Sequence, residues 1–199
     1  MKVLVTGFEK FLNYDINPSE RVAQTLNGKT IGNHQVVGKV IKLEYNTIRD
    51  QIREFVDEVS PDAIILIGQA SRAMICLEKV AVNYADSHGS PYNCGTIVND
   101  EILVPGGNEA FFSKLDIQNL LEHLHKKGIP AAQSLTAGSY GCNQIFYETM
   151  YYLNSKNINI PAGFVHIPMI PEQSLTGKFP TVEYTLIEEA IRTIVENLK

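Results

Sequence analysis

The sequence has few cysteines and no long apolar run, and each absence excludes some classes of protein. Its 199 residues include three cysteines, Cys76, Cys94 and Cys142, and no CxxC pair. An odd number without such pairing argues against a secreted disulfide scaffold and against a structural zinc site. No apolar stretch approaches the roughly 18 residues that a transmembrane helix needs, so we expect no membrane span and no membrane partner.

An excess of positive charge is also missing. The formal net charge is −5, and without a basic patch we expect no nucleic-acid partner. The apolar run in MKVLVTGF is too short for a signal peptide, which favours a cytoplasmic location where thiols stay reduced. No shift in composition marks a boundary, so we expect residues 1–199 to form a single globular domain.

Apolar runs with the lengths of buried strands alternate with segments of helical periodicity. The predicted strands are 2–7, 35–43, 62–70, 78–84, 96–104, 129–135 and 162–170. The predicted helices are 17–28, 47–60, 115–127, one that begins near Cys142, and one over about 182–198. This alternation predicts an α/β fold whose largely parallel sheet is covered by helices on both faces.

A cysteine follows a glycine-rich turn in AGSYGCNQIFY, residues 137–147. Gly138, Ser139 and Gly141 suit a tight turn between a strand and a helix, which places Cys142 in the first helical turn. Unpaired N–H groups and the helix dipole favour a thiolate there, as a nucleophile requires. The alternative is that Cys142 is one more small, buried apolar residue.

Two other residues could make this thiol reactive. His166 interrupts the apolar strand GFVHIPMI near its carboxyl end, which is the edge where parallel α/β sheets bind ligands. Glu78 stands at the head of the predicted strand EKVAVNY. Both residues have a non-catalytic alternative. His166 could be a core histidine that bonds a backbone carbonyl, and Glu78 could be an ordinary solvated residue at the start of a strand.

Two segments look like the end of a phosphate-binding P-loop, but neither has the required glycine. NGKT at 27–30 has Ala23 at that position, and TGKF at 176–179 has Glu172. His123 and His125 lie two apart on a predicted helix, so they point to different sides and cannot close on one metal ion. We therefore expect neither segment to bind a nucleotide phosphate and this histidine pair to bind no metal ion.

Six stretches occur in the order of the motifs of one known family. They are TGFEKF (6–11), NPS (17–19), IGQA (67–70), EKVAVN (78–83), TAGSYGCN (136–143) and GFVHIPMIPEQ (163–173). Together they resemble the pyroglutamyl peptidase I family, the pyrrolidone-carboxylate peptidases. The resemblance implies a cysteine peptidase acting on N-terminally pyroglutamylated peptides, an open three-layer α/β/α sandwich, no cofactor, a cytoplasmic location and commonly a homotetramer.

The resemblance also implies a catalytic triad. Cys142 matches the nucleophile of the family, His166 the general acid/base and Glu78 the third member. In that scheme His166 takes the thiol proton, and Glu78 orients the imidazole and stabilises its protonated form.

The substrate pocket is matched less completely. Phe8 and Phe11 match the aromatic residues that enclose the pyrrolidone ring, and Gln69 matches a residue at the lactam. Core packing is the alternative for the two phenylalanines. Tyr140 and Gly141 replace the usual Phe-Val pair before the nucleophile, which would widen or reshape the pocket.

Two loops depart further from the family pattern. Leu12 and Asn13 replace the usual Gly-Gly, and the segment 86–93 has lost the family's arginine, for which His88 is a candidate replacement. These changes leave two alternatives open. One is a thiol amidase or hydrolase that acts on another small cyclic amide or acyl group, and the other is a non-catalytic homologue that binds a small ligand.

Overall fold

The fold is built around one large β-sheet. The structure, a computed structural model, describes residues 1–12 and 14–199. The strands are β1 (Lys2–Phe8), β2 (Thr30–Ile31), β3 (His34–Ile41), β4 (Ala63–Gln69), β5 (Ile75–Glu78), β6 (Val80–Val82), β7 (Ala110–Phe112), β8 (Ala131–Ser134) and β9 (Ala162–Ile167). The α-helices are α1 (Pro18–Leu26), α2 (Ile48–Val59), α3 (Ile117–Lys126), α4 (Gly141–Ser155) and α5 (Tyr184–Glu196), and a 3₁₀ turn covers Pro171–Gln173.

Seven strands form the main sheet in the order β2-β3-β1-β4-β9-β5-β8. The pairs β3–β1, β1–β4, β4–β9 and β5–β8 are parallel, whereas β2–β3 and β5–β9 are antiparallel. Strands β6 and β7 pair separately as an antiparallel ribbon. The prediction of an α/β fold with a largely parallel, mixed sheet is confirmed.

Strand β4 shows why the sheet carries helices on both faces. Its sequence AIILIGQ is apolar over five consecutive residues, and side chains alternate between the two faces of a strand. Ile65 and Ile67 enter the core cluster beneath α1, α3 and α5, while Ile64 and Leu66 enter the cluster beneath α2 and α4. A strand buried on both sides therefore separates two helical layers, which gives three layers in all.

Sequence periodicity placed the helices and the central strands correctly within a few residues. Helix α1 begins as expected, because the side chain of Asn17 accepts a hydrogen bond from the N–H of Ser19 and Pro18 occupies the first turn. Among the described residues, each helix is too short or too polar to cross a bilayer.

Three predicted strands needed correction. Residues 96–104 are irregular and share only the isolated bridge between Ala85 and Glu101. The predicted strand 78–84 is divided, since Glu78 ends β5 in the main sheet and β6 follows separately. The predicted buried strand 129–135 is the shorter β8, which lies at the edge of the sheet and is only partly buried.

Candidate active site

Three neighbouring parallel strands bring their carboxyl ends to the same edge of the sheet. β1 ends at Phe8, β4 ends at Gln69, and His166 is the penultimate residue of β9. Helix α4 begins at this edge, with Cys142 as its second residue. Residues far apart in the sequence therefore meet where parallel α/β sheets commonly bind ligands.

Glycines let the start of α4 approach the sheet closely. A Cβ atom at Gly68 would lie 2.7 Å from Cys142 Sγ and 2.6 Å from Phe164 Cζ. A Cβ atom at Gly141 would overlap the side chain of Leu43. Both separations are far below an ordinary contact, so this position of the thiol requires glycine at 68 and at 141.

Glu78 reaches His166 across the antiparallel pair β5–β9. Glu78 pairs with Phe164, and His166 lies two residues further along the same strand, so both side chains are on one face of the sheet. His166 Nδ1 lies 2.7 Å from Glu78 Oε1, and both side chains are almost completely buried. Since a carboxylate only accepts, Nδ1 carries the proton and Nε2 is left as a base.

Arg72 completes the buried charge arrangement, and sequence reasoning did not identify it. Its guanidinium donates to Glu78 Oε1 at 2.9 Å and to the carbonyl of Thr136 at 3.2 Å. Glu78 Oε2 is buried and has no hydrogen bond from the residues that the structure describes. An ionised carboxylate is costly to bury without a counter-ion, and Arg72 supplies one.

The thiol and the imidazole are both neutral near pH 7. Burial, reinforced by the charge of Glu78, raises the pKa of Cys142 to about 12, although Arg72 opposes the rise. Burial also lowers the pKa of His166 below 6.5, against the opposing effect of Glu78. The sequence predicted that the helix terminus favours a thiolate, and burial of the thiol acts in the opposite direction. No hydrogen bond joins Cys142 to His166 in the part of the chain that the structure describes.

Cys142 and His166 open into one largely apolar cavity of about 200 Å³. Its walls come from ten residues: Phe8, Phe11, Asn17, Leu43, Gln69, Ala137, Gly138, Tyr140, Cys142 and His166. Glu78 lies behind this wall through its bond to His166, and Gly141 lies behind it against Leu43. The cavity suits a small, flat, uncharged group held beside a thiol.

A second cavity, of about 320 Å³, lies between α2 and α4 and is lined mainly by polar and charged side chains. Arg49 and Glu148 form an ion pair there, with Arg49 Nη2 at 2.8 Å from Glu148 Oε1. Neither Cys142 nor His166 lines it. The apolar cavity is therefore the candidate active site.

Comparison with known proteins gives the same picture. The family model described as pyroglutamyl peptidase matches residues 1–199. The chain belongs to the pyroglutamyl peptidase family. This is a hydrolase family of cysteine peptidases, so the resemblance drawn from the sequence motifs is confirmed.

The relatives match along almost their whole length. A pyrrolidone-carboxylate peptidase of Pyrococcus furiosus is 39% identical, over 98% of this chain and 97% of its own. One of Aliivibrio fischeri is also 39% identical, over 98% and 93%. A crystal structure of pyrrolidone carboxyl peptidase from Pyrococcus furiosus superposes with a TM-score of 0.95 at 38% identity, covering 98% of this chain and 97% of the other.

The wall of the pocket beside Cys142 is aromatic. The Tyr140 hydroxyl donates to the carbonyl of Pro91 at 2.7 Å, and its ring lies 4.4 Å from the ring of Tyr92. Sequence reasoning identified Tyr140 but missed Tyr92, because a loop residue gives no periodic signal. Tyr92 is almost completely buried and ties the 86–93 loop to the start of α4.

The proposed substitute for the family's arginine lies at the rim. His88 Nε2 is 3.1 Å from Ser139 Oγ and Nδ1 is 3.4 Å from Asp86 Oδ1, and its side chain is 77% exposed. The contact with Ser139 joins the 86–93 loop to the turn before Cys142, whereas the contact with Asp86 lies within the loop. Of the altered pair at 12 and 13, Leu12 is exposed, and Asn13 lies outside the described residues.

Proposed function

We propose that the protein is a pyroglutamyl peptidase that removes an N-terminal pyroglutamyl residue from peptides. The observation that carries the proposal is the pairing of a thiol with a carboxylate-bound imidazole in one apolar cavity, in a chain of this family. The cavity volume of about 200 Å³ has room for a five-membered lactam ring and the adjoining peptide bond.

The apolar walls favour a neutral end group. Phe8 and Phe11 would enclose the pyrrolidone ring, Gln69 would bind the lactam, and Tyr140 would border the ring on the side of the nucleophile. A free N-terminal ammonium would lose its hydration in this cavity without a counter-ion, which is costly. Gly141 would act indirectly, since its missing side chain makes room for Leu43 in the wall.

In the first chemical step, Cys142 Sγ attacks the carbonyl carbon of the pyroglutamyl residue and transfers its proton to His166 Nε2. Glu78 stabilises the imidazolium that forms and keeps the proton on Nδ1. Because both groups are neutral at rest, the proton moves as the C–S bond forms, with substrate bringing the groups into reach. N–H groups at the start of α4 stabilise the oxyanion.

Collapse of the tetrahedral intermediate breaks the C–N bond. The imidazolium gives its proton to the departing amine, and the pyroglutamyl group remains on Cys142 as a thioester. Water then attacks the thioester while His166 takes a proton from it and returns one to the sulfur, releasing pyroglutamate. All proton transfers use side chains of this chain, so the scheme requires no cofactor.

Location and assembly are proposed from the family resemblance. A cytoplasmic enzyme would keep Cys142 reduced, as the mechanism requires. A homotetramer is the proposed assembly, and sedimentation or light scattering of the purified protein would test it.

The test of the function is hydrolysis of a fluorogenic pyroglutamyl amide under reducing conditions. We expect release by the unmodified protein, no detectable release by Cys142→Ser, and normal release by Cys94→Ser, since Cys94 is exposed. Absence of release from folded protein that still alkylates at Cys142 would exclude the substrate and favour a thiol hydrolase of another acyl group. Absence of release together with a Cys142 that does not alkylate even above about pH 9 would exclude the enzyme.

A further inference from the structure

The amide of Gln173 has its orientation fixed by two backbone groups. In the 3₁₀ turn after β9, Gln173 Oε1 accepts from the N–H of Ile170 at 3.0 Å, and Nε2 donates to the carbonyl of Ile16 at 2.9 Å. A backbone N–H can only donate and a carbonyl can only accept, so the oxygen and nitrogen of this side chain cannot be exchanged.

This orientation determines the orientation of a second amide. The other proton on Gln173 Nε2 is donated to Gln69 Oε1 at 2.8 Å. Because Gln173 presents a donor here, Gln69 must turn its oxygen towards it. Gln69 Nε2 then remains for the cavity that Gln69 lines, since it donates to no acceptor among the described residues. The cavity therefore offers a donor at this point.

We propose that Gln173 is a specificity-determining residue that acts through Gln69. It holds Nε2 of Gln69 towards the cavity, so that the site selects a ring with a carbonyl oxygen and rejects one with a protonated amine. The inference rests on the proposed function, because it explains how that site distinguishes a pyroglutamyl from a prolyl N-terminus. The two rings are the same size. They differ in that prolyl has a methylene group in place of the carbonyl and a charged nitrogen in place of the lactam N–H.

Replacement of Gln173 by glutamate turns the hydrogen-bond donor that faces Gln69 into an acceptor, with little change in the shape of the side chain. A carboxylate can only accept, so in Gln173→Glu the amide of Gln69 must offer Nε2 to position 173 and turn its oxygen to the cavity. A lactam carbonyl would then face an oxygen. We expect kcat/KM for the pyroglutamyl amide to fall about 10- to 100-fold, mainly through KM, because the contact is remote from the scissile bond.

Two small probes separate binding from chemistry. 2-Pyrrolidinone and pyrrolidine share the ring and differ by the carbonyl and by the charge on the nitrogen, and each is tested for protection of Cys142 against iodoacetamide. We expect 2-pyrrolidinone, but not pyrrolidine, to protect the unmodified protein. In Gln173→Glu the concentration of 2-pyrrolidinone needed should rise by the same factor as KM, while the unprotected alkylation rate stays unchanged. Gln118→Glu, the same substitution on an exposed part of α3, should match the unmodified protein.

A double variant shows whether Gln173 acts through Gln69. In a Gln69→Leu background there is no amide to orient, so adding Gln173→Glu should cause no further loss. If Gln173→Glu does not fold, Gln173→Met carries the test, because it frees the Gln69 amide without adding charge and should weaken binding of 2-pyrrolidinone several-fold.

The outcomes distinguish this inference from the proposed function. Unchanged selectivity in Gln173→Glu, or equal losses with and without Gln69, would overturn the role of Gln173 and leave the peptidase assignment standing. Failure of the unmodified protein both to hydrolyse the pyroglutamyl amide and to bind 2-pyrrolidinone would overturn the assignment itself, and the selectivity argument with it.

Discussion

The close approach of Cys142 to strand β4 can be tested by adding one methyl group. In Gly68→Ala the new carbon would lie 2.7 Å from Cys142 Sγ and 2.6 Å from Phe164 Cζ. An unstrained contact between such atoms is about 3.5–4.0 Å, so the thiol, the ring or the strand must move by about 1 Å. The strand is paired on both sides, by β1 and by β9, which leaves the side chains to move.

Displacement of a nucleophile by about 1 Å costs about 10²-fold in rate, because the attack geometry is lost. Overpacking of a dense core costs about 1–3 kcal/mol of unfolding free energy. For a chain of 199 residues this corresponds to a fall in Tm of about 2–12 °C. We therefore expect Gly68→Ala to fold, to melt earlier and to lose about 10²-fold in kcat on the pyroglutamyl amide.

A double-mutant cycle shows how much of the stability lost in Gly68→Ala comes from the contact with the thiol. In a Cys142→Ala background the sulfur is gone, so the same substitution at Gly68 should cost less stability, with only the contact to Phe164 remaining. Thermal unfolding of the four proteins measures the difference. Unchanged kcat and Tm in Gly68→Ala would refute the placement of the thiol against β4, and equal costs in both backgrounds would refute the thiol contact specifically.

The other predictions concern the ionisable groups around the thiol and the thiol itself. Arg72→Met should lower the free energy of unfolding by about 3 kcal/mol and reduce kcat/KM, because Glu78 loses its counter-ion. Arg72→Lys keeps the positive charge and should recover part of both losses. If Arg72→Met changes neither quantity, the ion pair contributes nothing to stability or activity. As the pH is raised, kcat/KM should increase with an apparent pKa below 6.5, because His166 deprotonates. The rate of Cys142 alkylation without substrate should still be increasing above about pH 9, since burial raises the pKa of the thiol to about 12. An alkylation plateau below about pH 8 would instead indicate a preformed thiolate. Because folding lowers the pKa of His166, its contribution to stability is present above pH 6.5 and is lost as the pH falls below that value.

The parts of the fold that sequence predicted best were those whose pattern is set locally. β1, β4 and β9 are near-continuous apolar runs, and the helices carry one apolar face, so each can be identified without knowledge of its neighbours. Residues 96–104 were misread because their apolar residues are not buried in alternation. Val98 and Leu103 are buried while Ile97 and Ile102 are about half exposed, so burial in this segment does not follow the period of two that a half-buried strand requires.

The candidate site divides in the same way. Cys142 and His166 could be proposed because a thiol at a helix start and a histidine in an apolar strand are unusual in their local setting. Sequence reasoning could not identify three other residues of the site, Arg72, Tyr92 and Gln173. Each lies outside the strands and long helices and makes its contact only through tertiary packing. The catalytic roles remain predictions until the variants are measured.

The position of β9 in the sheet has a consequence for how the molecule forms. Among the described residues, β9 is the last strand in the sequence, yet it lies between β4 and β5 and pairs with both. Until residues 162–167 insert, the strands on the β1–β3–β4 side and on the β5–β8 side have no common partner. Such long-range pairing is slow, because chain entropy is lost before contacts are gained. His166 arrives on this joining strand and meets Glu78 at a sequence separation of 88 residues. During synthesis the thiol at position 142 therefore leaves the ribosome before its base, and the proposed catalytic triad is complete only when β9 has joined the two sides of the sheet.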